Sequence, residues 1–432
     1  MKQKIIIIFM LFLFFGCGVS TDFEKVDEFM AQGDCVSTIE LLKESEDDYG
    51  SNGELLYLLD NAMINMHCGN LDTAKKLFKQ SEELAQELWT DSISQNVASM
   101  ATNDNAISYS GEDFERAMIN LFNSLTYLKS ADLEGALIEC RKLDILLGSY
   151  NEKHKSNKNV YKEDAFGRYI SAILNEADNE IDDAYIDYYK AFNVYKNYTR
   201  HYGTPVPTLL IEDLLRIAKA ADRMDEVKRF LPNYRDFNTV NYNDTRKMGK
   251  IVFIHLNGKS PVKIDKKFTV GSVNGPVSVA FPEYRVTSPG CNSSTFLINS
   301  GGNIITKNSY LVEDINKIAV KALSDRKARI MVKAIARAVV KQGLNKGVSD
   351  AVGGVGGAVF RIGFNVFNSA VLEKADIRTW RTLPGEIYMT HSYVDPGQCE
   401  VSIDQCGRTK IIENFSVKAG ETKFVIYNSI YE

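Results

Sequence analysis

The side chains able to do chemistry are dispersed along this chain of 432 residues. His67, His154, His201, His255 and His391 stand far apart, and Cys35, Cys68, Cys140, Cys291, Cys399 and Cys406 include no Cys-x-x-Cys pair, so no local metal set emerges. Gly-x-Ser-x-Gly, Gly-Lys-Ser/Thr and His-Glu-x-x-His are absent, and "GGVGGAV" fails the dinucleotide-binding pattern at its last position. Adjacent carboxylates such as Glu112 and Asp113 are the right types for acid–base transfer, yet on a helical surface they read as solvated acids. The expectation is no catalysis, no metal and no bound cofactor.

One thiol stands apart. Lys2 and Lys4 precede eleven apolar residues, Ile5 to Phe15, and Gly16-Cys17 follows. As a helix the run is about 16 Å long, roughly half of the ~30 Å a membrane span must cross, so it reads as a secretory signal, residues 1–16. Phe14-Phe15-Gly16-Cys17 resembles the lipobox of bacterial lipoproteins. That resemblance implies a diacylglyceryl group on the Cys17 thiol, cleavage before Cys17 and acylation of the new amine. Two or more acyl chains, at ~0.8 kcal/mol per buried methylene, suffice for stable anchoring. Gly18 stands where an inner-membrane retention Asp would be, which implies outer-membrane sorting, facing the periplasm.

The totals then bound what the anchor carries. With 44% hydrophobic residues and a mature length suited to two or three domains, the chain can build sizeable cores. The net charge of −5 conceals an asymmetry: residues 1–247 carry net −14 and residues 248–432 net +9. Either the halves dock on each other, or the basic half faces an anionic surface. Export disfavours nucleic acid as a partner.

The acidic half repeats. "LLYLLDNAMINMHCGNLDTAKKLFKQSEEL" (55–84) reads as helix, Gly-Asn turn, helix. It resembles a tetratricopeptide repeat: Ala62 at the close helix crossing, Ala74 and Phe78 at the small and large sites, Ser81 at the next small site. The grammar recurs at 117–146 (Ser124, Tyr127, Ala136, Cys140) and 165–194 (Ala172, Asn179, Ala184, Tyr188, Ala191), with capping pairs at 23–45 and 208–233. Residues 17–233 are therefore predicted to form an all-helical solenoid. Its first helices line the concave wall with Leu56, Leu59, Met63, Met66, Met118, Leu121, Leu125, Phe166, Tyr169 and Ile173. This apolar stripe is either core or an open groove for an amphipathic partner helix. Cys35 and Cys68 fall at neighbouring helix ends, compatible with a disulfide or with two buried thiols.

After a linker at 234–250 the period changes to alternation. Strands are predicted over 251–310 and again over 373–432, flanking a helical insertion at 311–372, so the fold class is multidomain α plus β: a TPR-like solenoid followed by an antiparallel β-rich domain. Arg329, Lys333, Arg337 and Lys341 recur every four residues along one side of a basic amphipathic helix. That helix can pack on the sheet, dock on the solenoid, or lie on anionic lipid. The Gly-rich run behind it, with Gly343/Gly347 and Gly353/Gly357 at small-xxx-small spacing, reads as a close helical hairpin.

Most of the mature sequence resembles a family of bacterial tetratricopeptide lipoproteins to which no biochemical activity is attached. The likeness rests on "YSGEDFERAMINLFNSLTYLKSADLEGALIECRKLD" (109–144), "PVSVAFPEY", "KARIMVKAIARAVVKQ" and "KADIRTWRTLPGEI" (374–387). Within these motifs, Tyr109, Gly111, Glu115, Arg116, Arg141, Arg378 and Trp380 are the candidate residues. Glu115 and Arg116 are expected to pair with Arg141 or Glu139, and Trp380 to plug the core with Arg378 and Arg381 on the opposite face. Members tend to be encoded beside lipoproteins that resemble activators of penicillin-binding proteins, which implies a role in envelope or peptidoglycan assembly. The expected function is thus a lipid-anchored adaptor for an envelope protein partner. Regulation of peptidoglycan synthesis is the first alternative, and lipid or ligand carriage by the Gly-rich hairpin the second.

Overall fold

A computed structural model of the chain describes residues 22–94, 107–153, 161–272, 275–291, 293–341 and 374–431. The signal segment, Cys17 and the Gly-rich hairpin lie outside the described residues, as do the side chains of Lys333, Arg337 and Lys341.

Ten helices form five antiparallel pairs: α1 (Phe23–Ala31) with α2 (Cys35–Glu44), α3 (Glu54–His67) with α4 (Leu71–Ser94), α5 (Asp113–Lys129) with α6 (Leu133–Lys153), α7 (Ala165–Ala177) with α8 (Ile181–His201), and α9 (Thr208–Ala220) with α10 (Met224–Phe230). Each pair turns through one left-handed residue: Gly33 (φ 73°), Gly69 (79°), Ala131 (58°), Asn179 (65°) and Asp222 (56°). That conformation ends a helix by redirecting the chain. The following residue starts the next helix; the Asp34 side chain accepts from the Ser37 amide at 3.0 Å. The small and large repeat sites, Ala62, Ala74, Phe78, Ser81, Ser124, Ala136, Cys140, Ala172, Ala184, Tyr188 and Ala191, are all buried. The acidic half is a TPR-like solenoid.

A short helix α11 (Tyr242–Thr245) leads to strands β1 (Gly249–Lys259), β2 (Val262–Ser272), β3 (Gly275–Arg285), β4 (Thr295–Ser300), β5 (Asn303–Asn308) and β6 (Tyr310–Asp314). Then come α12 (Ile315–Lys341) and strands β7 (Pro384–Val394), β8 (Gly397–Gln405), β9 (Arg408–Val417) and β10 (Thr422–Ser429). Two four-stranded sheets, β10-β1-β7-β6 and β5-β4-β8-β9, accompany a β2–β3 ribbon. The expected antiparallel pairing holds except that β10 runs parallel to β1, with Lys250 opposite Thr422 and Asn257 opposite Ser429. The last strand is added beside the first, so no hairpin constrains their relative direction. The insertion starts at Ile315 rather than 311, because residues 310–314 pair with β7 as β6.

Strand β1 is buried on both faces. Ile251 and Phe253 meet Phe296, Ile298, Val401 and Ile403 of the outer sheet, while Val252, Ile254 and Leu256 join one continuous core with the solenoid helices. The molecule therefore has three layers: solenoid, inner sheet, outer sheet. The chain end closes it, since Tyr431 packs at the small core of Val26, Leu42 and Ile64 in the first repeats.

Cys35 and Cys68 are bonded, with Cα atoms 5.7 Å apart, and a second bridge, Cys291–Cys406, has a Cα separation of 6.0 Å. Cys140 and Cys399 are buried thiols; burial pushes the Cys140 thiol up to about 12, even though it shares a hydrogen bond with Ser124. Non-reducing peptide mapping is expected to recover both linked pairs and to alkylate Cys140 and Cys399 only after unfolding; all six cysteines alkylating in the native protein would contradict the pairing.

Candidate functional site

The site is the seam between solenoid and inner sheet, and it begins with the wall residues. Leu56, Leu59, Met63, Met66, Met118, Leu121, Leu125, Phe166, Tyr169 and Ile173 are all buried, none more than 7% exposed. The open partner groove weighed from the sequence is thus corrected to a filled one. The physical reason is area: an apolar wall left wet forfeits ~25 cal/mol per Å², and the chain carries a sheet with a matching apolar face.

At one end the family motifs converge. Gly111 (φ 78°) turns the chain into α5 so tightly that a Cβ there would stand 3.1 Å from Arg116 Cγ. Glu115 then gathers four donors: the Tyr109 hydroxyl, the Glu112 amide at 2.9 Å, the Thr379 hydroxyl at 3.1 Å and the Trp380 amide at 2.9 Å. This carboxylate fixes the returning segment 374–383 against α5. Trp380, 1% exposed, has its ring 6.4 Å from Phe78 and 6.1 Å from Phe122, and its indole N–H donates to the Thr382 hydroxyl at 3.0 Å. Thr382 donates in turn to Asp60 Oδ1 at 2.8 Å. Burial raises the Asp60 carboxyl to about 6, against the opposing hydrogen bonds from Thr382 and Tyr49.

The pairing expected for Arg116 and Glu115 is corrected. Arg141 is exposed, and Glu139 accepts from Asn120 and Lys142 instead. Arg116 donates to the Tyr150 hydroxyl at 2.6 Å, to the carbonyls of Ser110 (3.1 Å) and Gly111 (2.6 Å), and to Asp113. Arg378 is likewise committed, reaching the Asn52 carbonyl at 3.1 Å and the Ile107 carbonyl at 2.9 Å while paired with Asp376 at 2.7 Å. Arg381 is exposed and lies over the Phe23 ring, 4.4 Å from its centroid.

Two ionic clusters flank this plug, neither legible in local spacing. In the first, Glu112 receives Lys263 of β2 at 2.5 Å and Arg326 of α12. Burial alone would raise its carboxyl; Arg326 and Lys263 reverse this and hold it well below the usual range. In the second, Arg216 forks onto Glu176 at 2.5 and 2.8 Å and reaches Asp213 at 2.7 Å. Lys250 of β1 meets Glu176 at 3.1 Å. His391 of β7 donates from Nε2 to Asp213 at 2.8 Å, and the Tyr169 hydroxyl donates to the same oxygen at 2.8 Å. Burial outweighs the attraction of Asp213 and lowers the His391 pKa. Lys250 and His391 share a face because β1 and β7 place Lys250 opposite Tyr393 and Val252 opposite His391.

Chemically, these acids and bases are spent on one another in a buried interior. Among the described residues, no group of three His, Cys, Asp or Glu side chains is placed to hold a metal, and no helix is long and apolar enough to cross a membrane.

No family model matches the chain, and no curated protein matches it. Solved structures do. MamA from AMB-1 is 13% identical, with 49% of this chain and 87% of that chain covered at a TM-score of 0.28. A Podosopora anserina structure of nearly identical TPR-like repeats of the kinesin light chain type is 13% identical, covering 49% of this chain and 91% of that one at a TM-score of 0.31.

Trp380→Ala is expected to cost about 3–5 kcal/mol by opening a cavity across the seam, measured by denaturant unfolding. Glu176 titrates at about 2 in the fold against ~4.3 in the unfolded chain. Its stabilisation is therefore present above about pH 4 and is lost as pH falls towards 2. Glu176→Gln is expected to destabilise the protein by about 3–5 kcal/mol near neutrality and to flatten that acid limb; an unchanged pH profile would contradict the cluster's role.

Proposed function

We propose that the chain is a non-catalytic adaptor of the bacterial cell envelope, held by lipid on Cys17 at the outer membrane and facing the periplasm, which engages a protein partner through the exterior of its three-layer body. The observation that carries the reading is the filled concave wall. The solenoid covers its apolar wall with the chain's own strands, and segment 374–383 packs on it through Trp380, beside Phe78 and Phe122, and through Thr382 on Asp60. What remains for a partner is the outside of the helix pairs, the outer sheet and α12.

Two disulfides support an exported protein, since cytosolic proteins rarely keep them. The spent charges of the seam support placement over catalysis, because Glu115, Glu176 and Glu112 are each already held by donors. The lipobox-like Phe14-Phe15-Gly16-Cys17 supports the anchor. Growth with a clickable fatty-acid analogue is expected to label the protein and to leave Cys17→Ser unlabelled; equal labelling of both, or of neither, would contradict the anchored reading.

A further inference from the structure

Helix α12 splits its basic residues between two tasks. Arg326 turns inward to Glu112, whereas Lys327 and Arg329 are exposed, and among the described residues no carboxylate pairs with either. Lys327 rests over the Phe281 ring of β3, its ammonium 5.1 Å from the centroid. Between these two flanks runs an outward line at helical spacing: Lys317, Lys321, Ser324, Ala328 and Val332. Val332 is 68% exposed and Val320 is 41% exposed, large values for aliphatic side chains on a helix whose other side, through Ile318, Ala319, Leu323 and Ala334, is buried. Small aliphatics flanked by long cationic side chains on an outward face suit an interface with headgroups above and acyl chain below, where Lys and Arg extend their charge to phosphate.

The entry of the chain points the same way. Asp22 stands five residues after Cys17, so at most about 18 Å of extended backbone separates them. The α1 helix that follows is clipped to the end of β1 by Asp27–Lys259 at 2.6 Å. That end adjoins the first turn of α12: a Cβ on Gly385 would meet Asn316 Nδ2 at 2.6 Å and the Lys259 carbonyl at 2.7 Å.

We propose that the outward face of α12 lies on an anionic phospholipid surface, with Lys327 and Arg329 at the headgroups and Ala328 and Val332 at the acyl boundary. This rests on the anchored reading for its setting, and it adds a second, electrostatic attachment that orients the body over the bilayer.

The test uses the chain from residue 17 with Cys17→Ser, which carries no acyl group, so it fails or succeeds independently of the labelling experiment. Co-sedimentation is measured with phosphatidylcholine vesicles with and without about one third phosphatidylglycerol. The expected result is partition only onto the anionic vesicles, weakening as salt rises. K327E/R329E should lose on the order of twentyfold or more in partition, since each cation near such a surface contributes ~1 kcal/mol. Val332→Ser, which removes apolar contact without adding charge, should weaken binding without altering the salt slope, and circular dichroism should report both variants as folded. Equal binding to neutral vesicles, anionic binding unchanged in K327E/R329E, or retention on polyglutamate without vesicle binding would each overturn the proposal.

Discussion

The inner sheet is buried on both faces, and the rest of the structure follows from what that requires. A sheet with one wet face tolerates any polar residue there. A sheet pressed against helices must pair its inward charges, at several kcal/mol for each ion left alone. Lys250 and His391 project from β1 and β7 into that layer, and the solenoid meets them with Glu176 and Asp213, themselves held by Arg216. Lys263 and Arg326 meet Glu112 at the other end. The apolar residues supply the drive to cover the wall; the charges decide which strand lies over which helix.

The motif residues acquire their meaning in that setting. Glu115 caps the turn at Gly111, orients Tyr109 and holds the Trp380 amide, so one carboxylate joins the α5 turn to a segment 265 residues later. Arg378 then ties the same segment to carbonyls of the loops before α3 and α5. These are the contacts of a clamp. They place side chains of catalytic types in a role of holding two layers in register.

Much of the solenoid was legible because its information is local. Turn residues at Gly33, Gly69, Ala131, Asn179 and Asp222 and the small sites at Ala62, Ala74 and Ala184 lie within one helix pair of the groups they serve. The opposite charges of the two halves foreshadowed docking, though not its partners. Glu176 and Lys250 are 74 positions apart and Glu112 and Lys263 are 151 apart, and no periodicity links them. The same distance hid the Cys291–Cys406 bridge and the parallel β1–β10 pair, whereas Cys35 and Cys68 sit in adjacent repeats. The wall stayed open between core and groove for a different reason: an apolar stripe looks alike whether a partner or the chain's own strands cover it.

If solenoid and sheets share one core, they must open together. Hydrogen exchange followed by mass spectrometry across increasing denaturant measures this directly, comparing amides of α3, α5 and α7 with those of β1 and β7. The protected amides of both groups are expected to exchange through one common opening with the same denaturant dependence. Strands that exchange in low denaturant while the inner helices stay protected would contradict it, because the sheet would then be a separate domain resting on a groove that stands without it.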